Sequence, residues 1–221
     1  MSELQHLYRR RFDPAEQAQK AALWAVLCAD FFQRYVGPTD RVLDLGAGYC
    51  EFINSIRCGH KIAVDLNEDA ATHAAADVTV VRAPSTDLHG IGDATVDVVF
   101  VSNFLEHLPG REALFATLRE LRRVLVPGGR LLVLQPNIRF LAAEYWDFID
   151  HQLPLSDRSL VEALEVVGLD PIEVRPRFLP YTTKSRLPQW PWLVRLYLRL
   201  PLAQRLFGRQ AWVVAVKPAG T

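Results

Sequence analysis

The sequence has little sulfur and no net charge. Its 221 residues include three cysteines and one methionine, and 25 basic side chains balance 25 acidic ones. Three cysteines without metal-ligand spacing argue against a disulfide framework and a structural zinc site, and are typical of reduced thiols in the cytosol. A neutral chain has no overall field that attracts nucleic acid, so we expect no nucleic-acid partner.

Long apolar runs are also missing. No stretch approaches the ~18 apolar residues of a membrane span, and the initial MSELQHLYRRRFDP lacks the apolar core of a signal peptide. We therefore expect a cytoplasmic protein that is soluble or bound peripherally to a membrane. The length fits one domain with an insertion.

Short apolar segments alternate with helical patterns along the chain. The pattern predicts strands at 41–45, 61–65, 78–81, 96–102, 130–135, 171–175 and 212–217, and helices at 14–35, 51–57, 68–76, 111–125 and 156–167. This alternation, with nearly continuous apolar strands, indicates an α/β fold whose parallel sheet is covered by helices on both faces.

The strongest motif is VLDLGAG at 42–48, an apolar strand that ends in a tight turn before a helix. Glycines at 46 and 48 let the backbone bend sharply and approach a ligand. Asp65 follows Gly46 by 19 residues, at the end of the next predicted strand. A carboxylate there is suited to both hydroxyls of a ribose, so the unit predicts a ligand that contains adenosine.

Two acidic residues indicate which adenosine ligand fits. A dinucleotide fingerprint has glycine or alanine where this chain has Glu51, because the helix then receives a pyrophosphate. S-adenosylmethionine has no phosphate, carries a sulfonium and has a cationic amino group that Asp44 is suited to bind. A nicotinamide-dependent oxidoreductase therefore becomes the weaker alternative.

At this point the chain resembles the class I S-adenosylmethionine-dependent methyltransferases, especially the small-molecule, type 11-like group. The resemblance rests on VLDLGAG, the acid of IAVDLN, VDVVFVSNFLEHL and LRRVLVPGGRLLVLQPN, in that order, over about residues 40 to 137. It implies a Rossmann-like, doubly wound fold with a mostly parallel seven-stranded sheet and an antiparallel last strand. It also implies S-adenosyl-L-methionine as cofactor.

The resemblance also implies a set of cofactor-binding residues. Asp44, Gly46, Ala47 and Gly48 border the methionine moiety, Asp65 holds the ribose, Leu66 packs on adenine, and Asn103 and Phe104 face the methionine end. Two positions depart from the family pattern: Cys50 replaces a third glycine, and Pro84 stands where relatives have an adenine-binding aspartate. Adenine recognition is therefore assigned to backbone groups or to Ser85, Thr86 and Asp87.

Methyl transfer needs a base only when the acceptor must lose a proton, as a hydroxyl does. Asp147 and His151 are four residues apart and share a face if this segment is helical, and a carboxylate beside an imidazole raises its basicity. We expect His151 to be the base, assisted by Asp147, with His107 as the second candidate. A surface ion pair and a histidine bound to local backbone are the respective alternatives. A metal site of Asp147, Asp150 and His151 is the less favoured reading, and we expect no metal.

Residues 177–210 form a basic, aromatic insertion. It contains seven Arg and Lys residues and no Asp or Glu, interleaved with aromatic residues. The part from 192 to 200 has the spacing of a short amphipathic helix at a membrane interface, where it would meet a lipid-linked substrate. A lid whose arginines contact an acidic acceptor, or helices simply packed on the domain, explain the pattern as well.

The sequence thus predicts one methyltransferase domain, EC 2.1.1. Its parts are an N-terminal helical cap (1–38), a cofactor core (40–137), an acceptor-side region (138–176), the insertion (177–210) and a last strand with tail (211–221). The expected reaction methylates a small molecule, such as a sugar or lipid-linked intermediate, at oxygen. A non-catalytic nucleotide-binding module remains an alternative function. One of the arginines at 9–11 could bind the cofactor carboxylate, although such a run is more typical of a solvated chain end. The oligomeric state is left open.

Overall fold

The structure is a computed structural model that describes residues 14–181 and 190–220, with side chains from residue 18 onward. Its strands are β1 (Arg41–Leu45), β2 (His60–Val64), β3 (Val78–Val81), β4 (Val96–Ser102), β5 (Leu125–Pro136), β6 (Asp170–Arg175) and β7 (Gln210–Val216). Its helices are α1 (Pro14–Asp30), α2 (Glu51–Ser55), α3 (Ala70–His73), α4 (Arg111–Val124), α5 (Ile138–Leu141), α6 (Asp157–Val166), α7 (Pro191–Leu198) and α8 (Pro201–Phe207).

The seven strands form one sheet in the order β3-β2-β1-β4-β5-β7-β6. The first five strands are parallel, and β7 runs antiparallel to both β5 and β6. This confirms the predicted mostly parallel sheet with an antiparallel last strand. The carboxyl ends of β1, β2, β4 and β5 meet at one edge, where a doubly wound fold binds its ligand.

Alternate residues of the central strands point to opposite faces, and both faces are buried. In β4, Val98 and Phe100 pack on one face and Val99 and Val101 on the other. One layer includes Leu27 and Phe31 in and after α1 and Phe52 in α2, and the other includes leucines of α4 and α6. Full burial of such a side chain contributes about 1.5–3 kcal/mol, which explains why the central strands consist mostly of apolar residues.

Several predicted boundaries differ from the structure. The first helix ends at Asp30 and is followed by a separate 3-10 helix at Phe32–Tyr35. The fifth strand begins at Leu125, five residues before the predicted start, because the Pro-Gly-Gly turn lies inside an irregular part of the strand. Gly128 adopts a φ of +80° there, as the turn chemistry predicts.

The described part of the insertion contains two short helices. α7 spans most of the segment predicted to be helical, Pro201 begins α8, and a proline occupies the first turn of each helix. Lys184 and Arg186, and the arginines at 9–11, lie outside the described residues. No helix in the described ranges combines the length and the apolar composition that crossing a membrane requires.

Candidate active site

The turn after β1 is built from three residues in left-handed conformations. Gly46, Gly48 and Cys50 have φ values of +68°, +55° and +62°. The N–H groups of Gly46 and Ala47 both donate to the carbonyl of Val64, at 2.8 and 3.2 Å, which ties the turn to the end of β2. Cys50 therefore keeps the left-handed conformation that a third glycine would adopt, although a side chain there strains the backbone.

The ring of Phe104 packs directly over Gly46. A Cβ atom added to Gly46 would lie 2.5 Å from the Cδ2 atom of Phe104. Asn103, exposed and at φ +47°, donates its backbone N–H to the carbonyl of Leu134. The end of β4 therefore approaches the glycine turn closely, as the assignment of residues 103 and 104 to the methionine end requires.

Asp65 is buried just after β2 and organises the backbone around it. Its carboxylate accepts hydrogen bonds from the N–H of Gly48 at 2.7 Å and of Asn67 at 2.8 Å. Burial raises the pKa of this carboxyl, while hydrogen bonds from Asn67, Gly48 and Leu66 oppose the rise. Asp65 thus connects the end of β2 to the glycine turn, at the position predicted to hold the ribose.

Asp44 is buried at the end of β1 and lies close to other acids. Burial raises its pKa well above the ordinary value, and the nearby carboxylates of Glu51 and Asp65 raise it further. Glu51 itself forms an ion pair of 2.8 Å with Lys20 of α1. A cationic ligand group beside Asp44 would favour the ionised form of the carboxyl.

The residues predicted to contact adenine differ in their surroundings. Leu66 is 52% exposed next to Asp65, so its side chain can cover a flat ring. Ser85 is buried, and its hydroxyl lies 2.7 Å from that of Thr117 in α4. Thr86 and Asp87 are exposed, and Asp87 accepts a hydrogen bond from the backbone of His89. The Ser85 hydroxyl therefore already has a hydrogen-bond partner within the protein, in Thr117.

A second group of polar residues lies beyond β4. A 3-10 helix, Leu105–His107, contains Glu106 and His107. The carbonyl of Glu106 accepts the N–H groups of Gln152 and Leu153, at 2.8 and 3.0 Å. These two backbone bonds hold the segment after β5 against the end of β4, and so bring His151 next to residues 106 and 107.

The two histidines contact each other and a carboxylate. Their ring centroids are 5.1 Å apart. The Nδ1 atom of His107 lies 3.3 Å from a carboxylate oxygen of Asp150, and its Nε2 atom lies 4.0 Å from Oε1 of Glu106. His151 is buried, and its Nε2 atom lies 3.3 Å from the hydroxyl of Tyr181. The sequence predictions for His107 and His151 thus converge on one cluster.

The predicted geometry of Asp147 is wrong. The chain leaves its 3-10 helix, Ala142–Asp147, at that residue, and residues 148 to 151 form a turn. Asp147 and His151 therefore do not share a helical face, and Asp147 is exposed. The carboxylate observed beside an imidazole is that of Asp150, and the imidazole is that of His107.

Sequence reasoning did not assign a role to two buried polar residues at this edge. Burial raises the pKa of Glu106 to about 8, and the nearby Asp150 contributes to the rise. Gln135 ends the apolar run of β5 with a fully buried amide. Gln135 could have been found from the sequence, because it is a polar residue at the end of an apolar strand. Glu106 could have been found because it is adjacent to His107, which was already a candidate.

Comparisons with known proteins agree with this geometry. Residues 43–133 match the family model described as a methyltransferase domain. A demethylmenaquinone methyltransferase of Mycobacterium tuberculosis is 33% identical over 131 residues, which cover 57% of this chain and 54% of that protein. The chain thus spans about half the length of the curated relatives it matches.

Solved structures share the fold over nearly the whole chain. An S-adenosylmethionine-dependent methyltransferase from Archaeoglobus fulgidus superposes with a TM-score of 0.67 at 22% identity, over 90% of this chain and 94% of that one. A possible histamine N-methyltransferase from Thermotoga maritima gives 0.68 at 18% identity, over 96% and 98%. Residues 43–133 thus match the methyltransferase-domain model, and the chain shares the fold of these S-adenosylmethionine-dependent methyltransferases.

Proposed function

We propose that this protein transfers the methyl group of S-adenosylmethionine to a hydroxyl oxygen of a small, lipid-linked acceptor at a membrane surface. The observation that carries the proposal is the meeting of two groups of residues at one edge of the sheet. The glycine turn and Asp65 supply a cofactor crevice, and the ring of Phe104 connects it to the 3-10 helix that contains His107.

The charges around the crevice fit this cofactor. The buried carboxyl of Asp44 lies near Glu51 and Asp65, and all three disfavour a phosphate. The amino group and the sulfonium of the cofactor would instead favour the ionised form of Asp44. The Asp65 carboxylate would accept hydrogen bonds from the ribose hydroxyls in addition to those of Gly48 and Asn67.

Calorimetry tests the cofactor assignment directly. S-adenosylhomocysteine, the demethylated product, should bind the full chain with one site, whereas NADH should produce no heat of binding. NADH binding without S-adenosylhomocysteine binding would instead support an oxidoreductase. Binding without methyl transfer to any acceptor fraction would support a non-catalytic nucleotide-binding module.

The reaction at oxygen requires removal of one proton. The acceptor O–H bond breaks, the oxygen forms a bond to the methyl carbon, and the C–S bond breaks with its electron pair on sulfur. His151 is our first choice for the group that takes the proton, with His107 as the second. Asp147 is exposed and shares no helical face with His151, so it is given no part in the proton transfer.

Replacement of His151 tests the proton-accepting role. His151→Ala should lower the rate of tritiated methyl transfer into the host lipid extract by about 10²–10⁴-fold, while S-adenosylhomocysteine affinity stays unchanged. Gln152→Ala, at the exposed neighbouring position, is the matched control and should keep the wild-type rate. A His151→Ala rate near that of wild type at neutral pH would refute the assignment.

The choice of a lipid-linked acceptor rests on the hairpin formed by α7 and α8. Its outer surface carries large apolar side chains, and Trp192 and Leu202 are 57% and 68% exposed. The other exposed apolar residues of the hairpin are Trp190, Leu196, Leu200, Leu206 and Phe207. Seven exposed large apolar side chains, two of them tryptophans, on one short hairpin are typical of elements that lie in a membrane interface. The relative from Mycobacterium tuberculosis, by its name, methylates demethylmenaquinone.

The charge of the hairpin favours an anionic surface. No acidic residue occurs between Glu173 and the last residue of the sequence, and Arg199 and Arg205 are exposed on the hairpin. The hairpin is fixed to the body of the protein by an ion pair between Arg195 and Asp30 and by a hydrogen bond from the Tyr197 hydroxyl to the Phe178 carbonyl. A fixed apolar surface bordered by arginines can therefore bind lipid without refolding.

Co-sedimentation with vesicles tests this part of the proposal. The protein should bind vesicles that contain phosphatidylglycerol at low salt, and Trp192→Ser combined with Leu202→Ser should abolish binding. Ile172→Ser, which removes an exposed apolar side chain from the edge strand β6, is the control and should bind as the wild type does. Failure of the wild type to bind at low salt would exclude the membrane surface as the site of reaction.

A further inference from the structure

Glu106, His107 and His151 present their ligand atoms to one another. One carboxylate oxygen and one nitrogen of each imidazole lie within 4.8 Å of one another. Two of the three side chains, those of Glu106 and His151, are buried, at 2% and 6% exposure. The three residues come from two segments joined by the backbone bonds to the Glu106 carbonyl, so their spacing is held by the fold.

An independent observation comes from the carboxyl group of Glu106. Its Oε2 atom is buried and has no hydrogen-bond partner among the residues that the structure describes. A buried carboxyl oxygen without a partner is costly, because it has lost its hydration and gained nothing in return. A buried carboxyl group takes up a proton, pairs with a cation or binds a metal, and the last two outcomes need a positively charged partner beside it. The two neighbouring imidazoles and this oxygen together indicate a cation as the absent partner.

We propose that Glu106, His107 and His151 bind one divalent transition-metal ion. Two imidazoles and one carboxylate are suited to Zn²⁺, Fe²⁺ or Co²⁺, and leave coordination positions open for another ligand. Asp150 and Tyr181 complete the arrangement. Asp150 contacts Nδ1 of His107, which leaves Nε2 facing Glu106, and the hydroxyl of Tyr181 lies close to His151. Such outer partners orient the ligands of metal sites.

The role of the metal, but not its binding, rests on the proposed function. An acceptor hydroxyl that coordinates the ion becomes more acidic, loses its proton to solvent and attacks the methyl carbon as the C–S bond breaks. When the ion is bound, His151 is a metal ligand and does not accept the proton. The ion instead lowers the pKa of the hydroxyl. Loss of turnover in His151→Ala is expected for either role, so metal binding must be measured directly.

Titration of the tag-free full chain with Co²⁺ tests the site. Co²⁺ should bind with one-to-one stoichiometry, produce visible d–d absorption and be displaced by Zn²⁺. Glu106→Gln and His107→Ala should each weaken Co²⁺ binding by at least about tenfold. His89→Ala is the matched control, because His89 and Asp87 form an exposed histidine–carboxylate pair at 3.2 Å. This variant should bind Co²⁺ as the wild type does.

Two results would overturn the inference. The first is that the wild type binds Co²⁺ no more tightly than Glu106→Gln does. The second is that His89→Ala loses as much Co²⁺ affinity as the Glu106 and His107 variants do. Unchanged S-adenosylhomocysteine binding shows that each variant is folded, and His107→Ala replaces Glu106→Gln if the latter does not fold. Co²⁺ binding by a protein that transfers no methyl group would refute the proposed function and leave the metal site standing.

Discussion

The cofactor side and the acceptor side of the sheet edge are built differently. On the cofactor side, the geometry is set by backbone: three left-handed residues, two N–H groups on the Val64 carbonyl, and Asp65 bonded to the N–H of Gly48. On the proposed acceptor side, the geometry is set by side chains from segments that are distant in sequence, since residues 106 and 151 meet only through tertiary contacts.

This difference determines how each side responds to substitution. A backbone-defined crevice tolerates little change at its glycines, because any Cβ alters a close approach. A side-chain cluster can change its chemistry with each substitution while the sheet beneath it stays intact. A single substitution in the glycine turn should therefore affect cofactor affinity more strongly than one in the side-chain cluster.

The largest effect is expected from Gly46→Ala. The added Cβ would lie 2.5 Å from the Phe104 ring at a φ of +68°, so both the turn and the ring must move. Strain and displacement together should weaken S-adenosylhomocysteine binding by at least about 100-fold in calorimetry.

Gly128→Ala is the matched control for this substitution. Gly128 also has a positive φ, +80°, but an added Cβ would meet nothing within 4 Å, and the residue lies far from the crevice in sequence and at the opposite end of β5. The backbone cost of about 1–2 kcal/mol should lower the melting temperature and leave affinity unchanged. Equal affinity loss in both variants would show that overall stability, rather than the Phe104 contact, limits binding.

A smaller loss is expected from Asp65→Asn. The amide retains one acceptor oxygen for the two N–H groups of Gly48 and Asn67, and it loses the charge that strengthens hydrogen bonds to ribose. Affinity for S-adenosylhomocysteine should fall about 10–100-fold, which corresponds to one or two charge-assisted hydrogen bonds. Asp77→Asn, which breaks the ion pair of the exposed Asp77 with Lys61, should leave affinity unchanged. Wild-type affinity in Asp65→Asn would remove the ribose assignment.

The contrast between the two sides also explains what the sequence could predict. The sheet follows from local patterns, since each central strand is an apolar run and glycines 46 and 48 mark the turn. Strand positions 78–81 and 96–102 were predicted with the observed bounds, and Asp65 lies at the crevice. Local patterns suffice here because the ligand-binding geometry is local backbone geometry.

The acceptor side could not be predicted in the same way. Helical spacing placed Asp147 beside His151, but the 3-10 helix ends at residue 147, and the N–H groups of Gln152 and Leu153 then donate to the carbonyl of Glu106. Sequence spacing contains no information on such a bond between residues about 45 apart. The pairing of Asp150 with His107 and the burial of Glu106 also involve these two distant segments. Both features are visible only in the structure.

Asp44→Asn should weaken cofactor binding moderately and should raise the stability of the protein without ligand. Removal of the carboxylate proposed to bind the cationic amino group of the cofactor should weaken S-adenosylhomocysteine binding about tenfold, the value of one charge-assisted hydrogen bond. In the absence of ligand, the same substitution relieves a buried acid that burial and the charges of Glu51 and Asp65 disfavour in its ionised form.

The stability effect of Asp44→Asn should depend on pH. The folded protein holds the Asp44 proton to a higher pH than the unfolded chain, whose carboxyl has the ordinary pKa of 3.8. Wild-type stability therefore falls as the pH rises above that value, until the folded-state pKa is passed. Thermal melts of wild type and variant should coincide near the unfolded pKa and separate at pH 8. The variant should melt higher there by at least about 2–4 °C, the shift produced by ~1 kcal/mol. A higher-melting wild type at pH 8 would contradict the assignment of an unfavourable buried charge.

The smallest effect on affinity is expected from Ser85→Ala, which tests whether residues after β3 read the adenine. The Ser85 hydroxyl lies 2.7 Å from that of Thr117, which is fully buried in α4, so its bond stabilises the fold. Loss of this bond costs ~1 kcal/mol and should lower the melting temperature by about 2–4 °C, while S-adenosylhomocysteine affinity changes by less than about twofold. Thr86→Ala, at the exposed neighbouring position, should leave the melting temperature unchanged. If Ser85→Ala instead weakened binding tenfold at constant melting temperature, the hydroxyl would belong to the cofactor side, and adenine recognition would depend on a side chain rather than on backbone.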